Sequence, residues 1–115
     1  AAGALLIDGI GSVDAANWYT VGTDSNGITW SIDNDSVKKD DKKAVLDIKA
    51  MDYEGYHYIV TEEFNHKKRE VKDVKVTLYN PKGEVVKQEQ PNKSTRKVEQ
   101  GTPAYAVYTL IWGDK

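Results

Sequence analysis

Apolar and polar residues alternate with a period of two along most of this chain, the spacing of strands half buried against a core. The clearest stretch is Trp18 to Asp33, WYTVGTDSNGITWSID, broken once by Asn26-Gly27. Asn-Gly is the commonest pair in a two-residue type I′ turn, so the stretch reads as a hairpin pairing Thr23 with Trp30, Val21 with Ile32 and Tyr19 with Asn34. That register gathers Tyr19, Val21, Ile28, Trp30 and Ile32 on an apolar face. Thr20, Thr29, Ser31 and Asp33 take the polar face, and Trp18 turns outward with them. A slip of one residue would undo the sorting.

The same alternation continues further on. Asn34 to Lys43 is a charge-dense, solvated loop, with Asp33 to Ser36 forming an Asx-type turn. Ala44 to Met51 places Ala44, Leu46, Ile48 and Ala50 on one side. Tyr56 to Phe64 is a fourth strand, Asn65 to Lys68 a reversal, and a fifth strand runs to Tyr79. A charged helix over Glu62 to Lys72 is the alternative there, but no cap frames it and β-branched residues take over from Val71. Asn80-Pro81-Lys82-Gly83 suits a type I turn with Gly83 in a G1 bulge, returning Glu84 to Gln88 as a sixth strand. Arg96 to Val98 suits a brief pairing with an edge.

Period two ends at Gly101. Ala104, Val107, Tyr108 and Ile111 recur at helical spacing, framed by Thr102 as N-cap, Pro103 at the first helical position and Gly113 as the stop. Tyr, Val, Ile and Trp in the same segment would also suit a strand; the paired signals favour the helix. The fold class is therefore α+β and mainly β: a single antiparallel, twisted sheet of about six strands in a meander, with one C-terminal helix packed on it.

Length changes this picture little, since 115 residues make one domain with a single core. The first fifteen residues read separately: AAGALLI and then Val13-Asp14-Ala15 resemble the rear of a signal peptide, leaving residues 16–115 as the domain. A short strand or helix packing Leu5, Leu6 and Ile7 is the alternative. There is no cysteine, which removes disulfides, thiolate metal sites and thiol nucleophiles together. Residues 1–60 hold five Lys/Arg against ten Asp/Glu, and residues 61–100 hold ten against seven, a bias too small to imply nucleic acid or a membrane surface.

Candidate chemistry is sparse. His57 and His66 stand in no metal-ligand spacing, and no P-loop, GxGxxG or GxSxG sequence occurs. Glu62-Glu63 and Asp40-Asp41 are adjacent carboxylates whose side chains point to opposite faces of a strand, so they read as solvated charges. No catalytic residue, metal ligand or cofactor is expected, and the chain does not read as an enzyme. The candidates for partner binding are Trp18 as an exposed aromatic, the basic turn Lys67, Lys68 and Arg69, and, apart from it, Arg96 and Lys97.

Four motifs carry a resemblance over residues 17–112. These are Trp18 to Gly22; Ile32-Asp33-Asn34-Asp35-Ser36-Val37; Leu78, Tyr79, Gly83, Val85 and Val86; and Thr102-Pro103-Ala104 with Val107-Tyr108. In them the chain resembles the surface-adhesin protein E family of small exported bacterial domains. Family members often carry a cysteine pair, in mid-chain and at the helix end, which this chain lacks. The resemblance implies a secreted, cell-surface or periplasmic module that binds host matrix or serum proteins without catalysis. An envelope assembly domain acting through a homodimer or a bacterial partner is the alternative.

Overall fold

Alternation carries through to three dimensions: the computed structural model, which describes residues 16–113, is an antiparallel sheet with one helix on one face. Its strands among the described residues are β1 (Trp18–Thr23), β2 (Thr29–Asp33), β3 (Lys38–Lys39), β4 (Lys43–Met51), β5 (His57–Asn65), β6 (Glu70–Tyr79), β7 (Val85–Glu89) and β8 (Arg96–Lys97). Six of them form the expected meander in the order β1-β2-β4-β5-β6-β7. The short β3 pairs with β4 and β8 with β6. The segment read as a signal-peptide remnant lies outside the described residues.

The first hairpin departs from the expected turn. Gly27 sits at φ +82 while Asn26 does not share the positive φ that a type I′ turn demands. Instead Asp24 heads the loop. Its Oδ1 accepts from the amides of Asn26 (2.9 Å) and Ile28 (3.1 Å), and its carbonyl accepts from Gly27 N (3.0 Å). This is an Asx-headed turn with a G1 glycine, favoured because the Asp24 carboxylate satisfies two amides. Thr23 consequently pairs with Thr29 and Gly22 with Trp30, one residue away from the type I′ register. A bulge at Val21 then shifts the ladder by one more residue, so that Thr20 faces Ser31 and Tyr19 faces Ile32. The sorting of faces at Tyr19 survives because two one-residue shifts restore the alternation.

The same device recurs at positions 24, 52 and 80. Asp52 Oδ1 accepts from Glu54 N and Tyr56 N, and Asn80 Oδ1 from Lys82 N and Glu84 N, each turn closed by a positive-φ glycine, Gly55 or Gly83. In an up-and-down meander the β1–β2, β4–β5 and β6–β7 connections all fall at one end of the sheet. Two of them touch: a Cβ on Gly55 would stand 3.1 Å from Pro81 Cβ.

The helix α1 (Pro103–Trp112) forms as its frame signals require. Thr102 caps it through Oγ1 accepting from Tyr105 N, and Gly113 at φ +83 ends it. Its buried stripe of Val107, Tyr108 and Ile111 packs on Ile32, Ala44, Leu46, Ile48, Phe64 and Val71. The end opposite the three turns is pinned by polar contacts. Tyr108 Oη donates to His66 O at 2.7 Å, Trp112 Nε1 to Asp40 O at 3.0 Å, and Lys39 Nζ to the helix-end carbonyl of Ile111 at 2.7 Å. His66 stacks on Trp112 with ring centroids 4.3 Å apart, its Nδ1 donating to Asp41 O. The segment expected as a solvated loop opens with the expected Asx-type turn, Asp33 Oδ1 accepting from Asp35 N as the cap of a 3₁₀ turn over Asn34–Ser36, and then holds a short strand that serves the helix.

Candidate functional site

Cross-strand rows explain why one half of the helix-bearing face is closed and the other open. Leu46, Glu62 and Asp73 form one row and Ala44, Phe64, Val71 and Arg96 the next, both towards the pinned end of α1. Nearer the three turns lie Ile48, Val60 and Val76, then Trp30, Ala50, Tyr58 and Leu78. The helix begins only at Pro103, so it overhangs these rows without filling them. Between Pro103, Ala104 and Val107 above and Ile48, Ala50 and Val60 below runs a half-open groove of about 360 Å³. Trp30 and Tyr58 wall it with aromatic rings, and Glu62, Asp73 and Arg96 close one side of it.

Expecting Glu62 to be a solvated charge proves wrong. Alternation does separate it from Glu63, but it turns Glu62 inward, where its side chain is 12 % exposed and Asp73 beside it is 19 % exposed. Arg96 Nη2 donates to Asp73 Oδ1 at 2.9 Å and reaches Glu62 Oε2 only at 3.5 Å. Burial, and then the hydrogen bond to Asp73 and its charge, push the Glu62 carboxyl up to about 9. Asp73 is itself pushed up by burial, but hydrogen bonds from Glu62, Arg96 and the Asn92 amide outweigh this and hold it below the ordinary carboxylate value. At neutral pH the cluster is one ion pair beside one protonated acid. Strand pairing therefore brings titratable groups from β5, β6 and β8 together at the edge of a cleft. The arrangement can hold or release a single proton next to an apolar chamber.

The six residues singled out from sequence fall in three places. Trp18 lies on the sheet face away from α1, as its outward position requires, but is half buried with Lys49 Nζ 4.5 Å above its ring. Lys67, Lys68 and Arg69 are exposed in the β5–β6 turn, where Arg69 adopts φ +52 and stands 5.7 Å from the Tyr108 ring. Lys97 joins that turn rather than standing apart, donating to Lys68 O (3.1 Å) and pairing with Glu70 (3.7 Å). Its neighbour Arg96 points the other way, into the groove.

Two features escaped the sequence reading. One is Glu62, although the inward run Tyr58, Val60, Glu62, Phe64 marked it as a charge at a core position. The other is a corner of exposed tyrosines by the turns: Tyr53 is 89 % exposed, Tyr56 44 % and Tyr58 37 %, while Val85 and Val86 of β7 are 58 % and 50 % exposed, Val85 on the other sheet face through its pairing with Tyr79. Tyr58 belongs to both, lining the groove while its hydroxyl donates to Glu89 at 3.1 Å.

No three His, Asp or Glu side chains among the described residues gather as a metal group, and no described helix is long and apolar enough to cross a membrane. No protein-family model, curated protein or solved structure matches the chain.

Proposed function

We propose that the chain is a non-catalytic protein-binding module of the adhesin kind, exported and displayed outside the cell or in the periplasm, holding a matrix or serum protein through its tyrosine corner. The observation that supports this reading is the joint exposure of Tyr53, Tyr56, Tyr58, Val85 and Val86 at the end of a hydrogen-bonded sheet. Exposed aromatic and apolar side chains mark interaction sites, and tyrosine offers large amphipathic contact area at small entropic cost. The basic turn with Lys97 is a second contact region at the far end of the sheet. The test is capture of matrix and serum proteins by the full chain, by a Tyr53→Ala/Tyr56→Ala variant and by a Lys67/Lys68/Arg69 charge reversal. Loss in the tyrosine variant alone supports the corner, loss in the reversal alone moves contact to the turn, and no capture by the parent removes the reading.

Self-association is the second reading, favoured by β7, an edge strand with exposed valines and, among the described residues, only β6 as partner. Lys87 in that strand works against it, as edge lysines do. A concentration-dependent mass in sedimentation, lost on Val86→Lys, would support the assembly role.

A further inference from the structure

We propose that the groove under the start of α1 binds a small organic cation with an apolar body, its positive group set beside Glu62 and its body lying between Trp30 and Tyr58. This site shares Tyr58 with the tyrosine corner but takes a small molecule, where the corner is proposed to hold a protein.

The argument is one of unmatched charge. Two carboxyl groups, Glu62 and Asp73, share a single guanidinium, and Arg96 commits its short contact of 2.9 Å to Asp73. Among the described residues nothing else that lines the groove supplies a second cation. From β4 come Ile48 and Ala50, from α1 Pro103, Ala104 and Val107, and the only further titratable group among these described residues is Tyr58, whose hydroxyl is turned to Glu89. The first-turn amide of Tyr105 is taken up by Thr102, so the helix start offers that donor to no anion. Burial, and then the hydrogen bond and charge of Asp73, keep the proton on Glu62 against the pull of Arg96, and a guest cation adds a second positive charge.

The walls suit such a guest. Ring faces of Trp and Tyr attract ammonium groups, most strongly where water is excluded, while the aliphatic floor receives an apolar body. A volume of about 360 Å³ is within the range of small-ligand sites. An anionic guest would meet Asp73 and displace Arg96 from it; a neutral one would leave the extra acid unmatched.

Binding exchanges a proton for the cation: Glu62 loses its proton to solvent as the guest arrives, with no bond otherwise made or broken. Below the pH at which free Glu62 ionises, affinity then rises about tenfold for each unit of pH. Benzyltrimethylammonium is the probe, because its charge does not titrate, with benzyl alcohol and phenylacetate as neutral and anionic counterparts. Titrations followed by Trp fluorescence and calorimetry at pH 6, 7 and 8 should show saturable binding of the cation, release of one proton and steep tightening with pH. Glu62→Gln, which keeps the shape, should weaken binding at pH 8 at least tenfold and flatten its pH dependence. Ala50→Leu, which fills the groove and leaves the acids intact, should abolish it; this variant keeps the test decisive should Glu62→Gln fold poorly. The proposal is overturned by equal or tighter binding of benzyl alcohol or phenylacetate, by cation binding indifferent to pH or to both substitutions, or by no saturation at any pH.

Discussion

The two ends of α1 rest on the same sheet and behave oppositely. At its C-terminal end, Tyr108, Ile111 and Trp112 are pinned by the 34–42 loop and the β5–β6 turn, and Phe64 and Ala44 beneath are fully covered. At its N-terminal end the helix is capped by Thr102, and the rows beneath it stay open. The difference teaches that a ten-residue helix cannot roof strands of nine and ten residues. Polar tethers decide which half of the face becomes core and which half stays open as a groove.

Removing the tether should produce the largest effect. Tyr108→Ala empties the core and orphans a carbonyl, at about 3–5 kcal/mol by urea denaturation, whereas Tyr108→Phe loses only the hydrogen bond, about 1 kcal/mol. Tyr58→Ala at the open end should cost less than Tyr108→Ala by at least about 2 kcal/mol; equal losses would mean that the two ends are equally packed.

Next in size, over the two units from pH 6 to 8, is the response to pH. Glu62 in the folded chain holds its proton to higher pH than it does unfolded, so the folded state binds more protons between those two values. Stability should therefore fall as pH rises from about 5 towards 9, by at most about 1.4 kcal/mol per unit. Glu62→Gln should remove that slope while leaving the acid-side loss that Asp73 contributes below its ordinary value. Denaturation midpoints at pH 6 and 8 that move in parallel for the two proteins would contradict the buried acid.

Smaller effects belong to the turns. Gly27→Ala forces a Cβ into positive φ, at about 1 kcal/mol, and Gly55→Ala should cost more because it also meets Pro81 at 3.1 Å. Thermal melts showing the reverse order would place the Pro81 contact elsewhere. Tyr53→Ala should change stability by less than about 0.5 kcal/mol, since that side chain is 89 % exposed.

Much of this was legible along the chain because it is local. Alternation at Leu46, Ile48, Val60 and Phe64 fixed which faces turn inward, and Thr102, Pro103 and Gly113 framed the helix. The turn at Asn26-Gly27 was misjudged because a side chain two residues earlier, Asp24, competes for the same amides. Glu62 was legible in principle, being one step of an inward run, but pairing it with Asp73 and Arg96 depends on a bulge between Thr61 and Glu62 and on where β8 docks. The groove itself has no local signal, since it depends on the starting point of a helix relative to strands far away in sequence.

The three turns at 24, 52 and 80 spend their requirements on the first residue, an Asp or Asn, and the fourth, a glycine. The middle positions, Ser25-Asn26, Tyr53-Glu54 and Pro81-Lys82, are exposed, and of them the motif asks only negative φ and, at Asn26, Glu54 and Lys82, an amide N–H to donate. Side chains such as those of Ser25, Asn26, Glu54 and Lys82 can accordingly be randomised in a library, short of proline at the donating positions, while the scaffold beneath keeps its shape.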